Sequence, residues 1–500
     1  MMKRAALSVG LLYVSVLLLS GFFLHRTVAT DTFITIDDYH YSVVMGSALR
    51  IAFGEAASAL RINFGLLATL SAGLLARLFA IDSFAGWIRL TQSFQVLFLF
   101  CAVISALAFQ RDRRLVLVVL FVSVPFASTV SPFVLTPNNS GPRYLGFAIL
   151  PLALTFLMAG KGYRDAIFAG LACALFVLWN TETGIACSAA LLFYLAVSEF
   201  AAGRPLSGVF GLLCIASAIA VAAVAVISIA SFGSVSGLNL LLEHLIGHAK
   251  SDYNGHLFDK WSIAALVLAL YASTVVIQCC LMVRAGSTDR YLIARAAIAV
   301  ASIVWFAYYA HNSFYFVLWF NLFLLLFTIE PIFAMGKIAV AGVVALAIAC
   351  NVAGLRPVPG RFTANSGTVQ GLSLPEDTAV YLRRHAELLR SIDAPRMVYF
   401  TGTPFIMAVM TRKVNDLTVF DPFGETWTAA QLHDLMQDIL AKNPTLILIE
   451  VNGSPLLNAP RQQFLQRVRK AISSRFSLTR TEDGFEFWMP RSGNPWPQPS

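Results

Sequence analysis

Ala57-Ser58-Ala59-Leu60-Arg61-Ile62-Asn63-Phe64-Gly65-Leu66-Leu67-Ala68-Thr69-Leu70-Ser71-Ala72-Gly73-Leu74-Leu75-Ala76-Arg77-Leu78-Phe79-Ala80 is apolar enough to pass for a membrane span, yet Arg61, Asn63 and Arg77 interrupt it. If this stretch crosses a bilayer, every connection after it changes side. If it lies along the surface, the connections holding Arg111-Asp112-Arg113-Arg114, Lys161-Gly162-Tyr163-Arg164, Arg204, Arg284 to Arg290 and Lys337 all face the cytoplasm. Short cytoplasmic connections carry an excess of Lys and Arg, so the surface reading is the consistent one. Charged residues recur from His25 to Ala85 at intervals that suit interfacial helices.

Composition agrees with a membrane setting. Of 500 residues, 58% are hydrophobic and 13% charged, and the mean hydropathy is +0.72. A soluble globule has no core large enough for that much apolar surface. The net charge of +9 sits in the short connections rather than in a nucleic-acid-binding patch. Lys3 and Arg4 precede an apolar run from Ala5 to Leu24, read as an uncleaved first span with a cytoplasmic N-terminus. Further spans are expected at Trp87 to Leu107, Leu115 to Val130, Tyr144 to Ala159, Ala166 to Leu178, Gly184 to Val197, Leu206 to Ser231, Trp261 to Val283, Tyr291 to Tyr309, Phe314 to Phe333 and Ile338 to Gly354. The expectation is a polytopic α-helical membrane protein of about 11 transmembrane helices plus interfacial helices. The pair of segments around Asn180 is short for two ordinary spans and reads as helices flanking a polar cavity. The seven cysteines all fall in apolar runs and read as small buried hydrophobes.

After Gly354 the composition changes. Arg356-Pro357-Val358-Pro359-Gly360 reads as a linker between a membrane domain (1–354, with an outer juxtamembrane loop over about 25–85) and a soluble α/β domain (355–500) on the outer side. Met397 to Phe400 and Leu446 to Ile449 read as buried strands. Thr428 to Ala441 and Pro460 to Ser473 read as helices, with Phe476 to Thr479 and Gly484 to Met489 as a closing hairpin. The Thr401-Gly402-Thr403 turn has the makings of an anion site, although one glycine at a strand-to-helix turn is ordinary architecture.

The residues able to do chemistry fall on the connections opposite the basic ones. Thr35-Ile36-Asp37-Asp38-Tyr39-His40-Tyr41 follows the first span. Adjacent carboxylates raise one another's pKa, which suits a general base, with Asp37 favoured as the base and Asp38 as second acid or orienter. The same residues also fit a capping box, in which Asp38 caps the helix that follows. Arg143, in Asn138-Asn139-Ser140-Gly141-Pro142-Arg143, is placed to fork onto a phosphate or to snorkel to headgroups. Glu182 lies between two apolar segments, as a functional acid or as the partner of a nearby arginine. A polar loop carries His244, His248, His256 and Lys260. The spacing of His244 and His248 is compatible with a metal, but a substrate-binding loop is the preferred reading, and no metal or other cofactor is assigned. Tyr308-Tyr309-Ala310-His311-Asn312-Ser313 offers His311 and Asn312 as phosphate or sugar contacts beside an aromatic belt.

A first span followed by an outer juxtamembrane Asp37-Asp38-Tyr39-His40-Tyr41, then membrane helices and an outer C-terminal domain, resembles the GT-C class of integral-membrane glycosyltransferases. Tyr308 to Ser313 followed by Asn321-Leu322 is similar to a pattern in some bacterial members, with His311 where those carry arginine. No Trp-Trp-Asp motif of oligosaccharyltransferases occurs. The resemblance implies inverting transfer of a sugar from a polyprenyl-phosphate donor to a glycan, lipid or protein acceptor of the cell envelope. Asp37 and Asp38 would be the catalytic acids, and Tyr39, Tyr41, Arg143, Glu182 and the histidine loops the substrate contacts. A multi-pass location in the inner or plasma membrane goes with it, the C-terminal domain being periplasmic or extracellular. The competing expectations are a non-catalytic lipid or sugar translocator and a polysaccharide ligase or polymerase.

Overall fold

The computed structural model describes residues 31–111, 137, 141–233, 262–311, 315–328 and 366–491, apart from 61, 63–64, 161, 395, 426–428, 452–456 and 458. The expected spans at Ala5 to Leu24, Leu115 to Val130 and Ile338 to Gly354 lie outside these residues. So do His244, His248, His256, Lys260, Asn312 and the linker at 356–360.

Helix α1 (Asp31–Ala52) begins well before the acidic pair. Thr35 to Asp38 is therefore helix interior, and Asp38 does not cap the helix it stands in. After a single turn at Ala57–Ala59 comes α2 (Leu66–Leu78), with 13 residues. At about 1.5 Å per residue it is about 20 Å long, short of the roughly 30 Å of a hydrocarbon core. The decisive stretch thus holds no spanning helix among its described residues. Helix α2 lies against α1 closely enough that a Cβ on Gly73 would meet the Ala48 carbonyl oxygen at 2.8 Å. Its other face leaves Leu74, Leu78 and Phe79 exposed.

The bundle continues with α3 (Phe84–Phe109), α4 (Gly141–Ala159), α5 (Tyr163–Trp179), α6 (Thr181–Ala201), α7 (Leu206–Phe232), α8 (Ser262–Arg284), α9 (Arg290–His311) and α10 (Tyr315–Leu326). Among the described residues six of these, α3, α4 and α6 to α9, are long and apolar enough to cross a membrane. Helix α5, with 17 residues, and the 12 residues of α10 fall below that length. The segment after Asn180 is longer than its apolar run suggested, because α6 takes in Thr181, Glu182 and Thr183 and reaches 21 residues. Leu206, Phe210, Val226, Leu266, Leu270 and Ile277 project outward from α7 and α8, a pattern for a helix surface bathed in lipid rather than water. Cys214 and Cys280 share that outer surface, which corrects the expectation that every cysteine is buried.

The bundle has two chemically distinct ends. At one, Arg290 donates to the carbonyls of Met158 and Gly160, Gly162 N–H and Arg204 both donate to Glu199, and Arg111 lies 3.7 Å from Asp289. The described parts of the basic connections, at Arg111, Arg204 and Arg290, are gathered there. At the other end stand Arg143, Asn180, Glu182, the start of α2 and the middle of α1.

The C-terminal domain sits on this second end. It has a hairpin of β1 (Ser366–Val369) and β2 (Leu372–Pro375), then α11 (Glu376–Ser391), β3 (Met397–Phe400), α12 (Pro404–Thr411), α13 (Pro422–Glu425), α14 (Ala429–Lys442), β4 (Leu446–Glu450), α15 (Ala459–Ile472), β5 (Phe476–Glu482) and β6 (Phe485–Pro490). The sheet order is β3-β4-β6-β5, with β3 and β4 parallel and the other pairs antiparallel. Every residue of β3 and β4 is buried, as expected for strands covered on both faces. The domain has no separate boundary toward α1. One continuous core runs from Tyr41, Met45, Phe84 and Trp87 into Leu372, Leu382, Phe405 and Phe420.

Candidate functional site

Two features meet at this second end of the bundle: a cleft walled by Arg143, and a seam that locks α1 to the C-terminal domain. The cleft is narrow, about 10 Å³, roughly the room one water molecule needs, and is lined by Val44 and Met45 of α1, Gly65, Ala68 and Thr69 at the start of α2, Pro142 and Arg143 of α4, and Asn180. Its floor is built by close backbone approach. Gly65 lies so near the Trp179 carbonyl that no side chain fits. Gly141 N–H donates to Gln95 Oε1 at 2.8 Å, seating the start of α4 on α3.

Asn180 ends α5 and caps α6, its Oδ1 accepting from Thr183 N–H at 3.1 Å. The Thr183 hydroxyl reaches the Arg143 carbonyl at 2.9 Å. This corner aligns Glu182 with the Arg143 guanidinium in a buried ion pair, each side chain 3% exposed. The rings of Tyr144 and Trp305 both stand 5.6 Å from that guanidinium. Charges this well shielded persist only when paired. Glu182 is therefore first of all the counterion of Arg143, and Arg143 keeps a place in the cleft wall without snorkelling to the surface.

The seam is organised by Asp38, which is fully buried. Its carboxylate accepts from Ile406 N–H at 2.7 Å and Phe405 N–H at 3.4 Å, both in the first turn of α12, and Ser42 donates to it at 3.2 Å. It occupies the place of an N-cap for a helix more than 360 residues further along the chain. Burial pushes the Asp38 carboxyl up to about 7; the Ile406 N–H and Arg461 pull it down, while Asp421 adds to the rise. Around it Arg461 pairs with Asp421 at 2.8 Å and donates to the Thr401 carbonyl at 2.9 Å. The Thr401-Gly402 turn does hold an anion, but it is the protein's own: Thr401 Oγ1 and Gly402 N–H donate to Glu450 at 2.8 and 2.6 Å.

The sequence-derived candidates divide accordingly. Arg143 and Glu182 come together beside the cleft. Tyr41 is wholly buried, with its ring against Phe84 and Phe405 and its hydroxyl on Thr91 at 3.1 Å; it is a core residue, not a substrate contact. Tyr39 lies partly open, edge-on to Phe423 of the C-terminal domain. Asp38, fully enclosed and bonded, is not open to take a proton from a substrate, which corrects its place among the catalytic candidates. Asp37 lies in α1, and its side chain is outside the described residues. His311 ends α9. Asn321 accepts from Ser302 at 3.0 Å and so joins α10 to α9 inside the bundle. Among the described residues no group of three or more His, Cys, Asp or Glu is arranged to hold a metal.

The sequence marked the Asn180 corner as flanking a polar cavity but did not show its capping of α6, the Thr183 bond to Arg143 or the close approach at Gly65. The signal for the cap was Asn180 itself, an N-cap residue type between two apolar runs. Comparison of the chain with protein-family models and with curated proteins returned no match.

Proposed function

We propose that this chain is a membrane glycosyltransferase of the GT-C type. It would move a sugar from a polyprenyl-phosphate donor to an envelope glycan, lipid or protein acceptor at the outer face, with Asp37 as general base. The observation that carries this reading is the convergence of the acidic helix and the Arg143 wall on one cleft, at the end of the bundle away from the basic connections. Asp37 takes the proton of the acceptor hydroxyl as that oxygen attacks the anomeric carbon. The bond from that carbon to the phosphate oxygen breaks, and the polyprenyl phosphate leaves with the electron pair. Arg143, oriented by Glu182, provides positive potential where that charge develops, and a shielded site strengthens the effect.

The full complement of about 11 spans, the cytoplasmic N-terminus and the outer location of the C-terminal domain belong to the same proposal. The test uses purified protein in liposomes containing a panel of polyprenyl-phosphate sugars, with release of polyprenyl phosphate as the readout. Replacing Asp37→Asn lowers turnover by about 10²- to 10⁴-fold, the usual share of a general base, while the melting transition stays in place. Undiminished turnover in that variant overturns the assignment of the base.

A further inference from the structure

The contacts between α1 and the C-terminal domain run from Asp38 to Arg50 and cover about half of the helix circumference, since Tyr41 and Arg50 stand about 180° apart. Going down α1, Asp38 holds the start of α12, Tyr41 packs on Phe405, Gly46 faces Phe420 and Arg50 donates to the Leu417 carbonyl while paired with Glu55. In the opposite direction, the strip from Leu417 to Phe423 runs from Arg50 back to Tyr39. Gly46 sets the closeness of this fit: a Cβ there would stand 2.7 Å from the Phe420 Cβ and nearer still to its ring. The neighbouring residues Val44 and Met45 form one wall of the cleft. The same turns of α1 therefore carry the docked domain and supply Val44 and Met45 to the cleft, Met45 packing also in the core shared with that domain.

We infer that docking of the C-terminal domain sets the position of α1 across the cleft from Arg143, with Asp38 as a positioning residue one step from the base. The inference rests on the proposed function for its catalytic consequence, but its geometric part stands apart from any reaction. The domain then belongs to the site's framework: when it is undocked, Asp38 loses the Phe405 and Ile406 N–H groups and keeps only Ser42 of its own helix among the hydrogen bonds given above, and the cleft widens.

Gly46→Ala separates the two sides. Alanine is the better helix former, so any loss of order comes from the collision with Phe420 and not from α1 itself. Spin labels at Val44→Cys on α1 and Ile185→Cys on the outer surface of α6 report the width of the cleft, on a background with the native cysteines replaced. With Gly46 present the distance distribution is narrow. Gly46→Ala broadens it, Phe420→Ala added to Gly46→Ala narrows it again, and Asp38→Asn gives an intermediate width. In the transferase assay kcat follows the same order, falling by about 100-fold in Gly46→Ala, as a misplacement near 1 Å can cause, while the donor KM stays near that of the parent. An unchanged distance distribution in Gly46→Ala, with limited proteolysis showing the domain released, overturns the inference whatever the turnover. Broadening and rescue in a protein that releases no polyprenyl phosphate from any donor keeps the positioning claim and removes the transferase reading.

Discussion

Asp38 shows how far a carboxylate's role depends on what surrounds it. In sequence it is half of an acidic pair suited to proton abstraction; in the fold it serves the peptide N–H groups of Phe405 and Ile406. Removing it by Asp38→Ala leaves two buried N–H donors without their acceptor, and a lost cap of this kind costs about 1 to 2 kcal/mol. Asp38→Asn keeps one acceptor oxygen and costs less. The pH response has a definite sign. The folded carboxyl is raised to about 7 from an ordinary 3.8, so the native state holds its proton more tightly than the unfolded chain does. The stability this provides is complete below the unfolded value and is lost as pH rises through about 7. Thermal melting from pH 5 to pH 8 should show the docked domain loosening, and the slope should flatten in Asp38→Asn; an equal slope in both proteins rejects Asp38 as its source.

At the scale of elements, what was readable depended on sequence distance. The runs from Trp87 to Leu107 and Leu206 to Ser231 gave their helices to within a few residues, because continuous apolarity is a local property. The strands at Met397 and Leu446 were readable for the same reason. The β1–β2 hairpin was not. Its turn uses Gln370 and Gly371, both at positive φ, and glutamine is not among the residues that advertise such a turn. The capping of α12 by Asp38 depends on two segments at opposite ends of the chain, and nothing local announces it. Arg143 and Glu182 lie between these extremes: each was identifiable as a charge at a helix end, but their pairing depends on the Asn180 corner. Glu182→Gln leaves a buried guanidinium without its counterion, and the expected loss is about 3 to 5 kcal/mol, measured as chemical denaturation in detergent. Arg143→Met combined with Glu182→Leu should recover most of that stability yet restore no turnover. Recovery of turnover in the double variant would mean that the pair serves only the fold.

For the whole molecule, polarity is organised along one axis. Basic connections close one end through Arg290, Arg204 and Arg111, while the cleft, the acidic helix and the C-terminal domain share the other. Positive connections tend to be retained in the cytoplasm during insertion, so the proposed reading predicts that the basic end is cytoplasmic and the cleft faces outward. Three single cysteines, placed on a background with the native cysteines replaced, examine both points at once. Thr288→Cys lies in the exposed connection between α8 and α9, Asp82→Cys in the exposed turn between α2 and α3, and Ser474→Cys on the surface of the C-terminal domain. In intact cells whose outer surface alone is reached by a membrane-impermeant maleimide, Asp82→Cys and Ser474→Cys should react together and Thr288→Cys only after permeabilisation. If Thr288→Cys reacts alongside Ser474→Cys, the two ends of the bundle are not on opposite sides of a membrane. If Thr288→Cys alone reacts in intact cells, the bundle is inverted and the cleft faces the cytoplasm, which removes the basis for transfer from a donor at the outer leaflet.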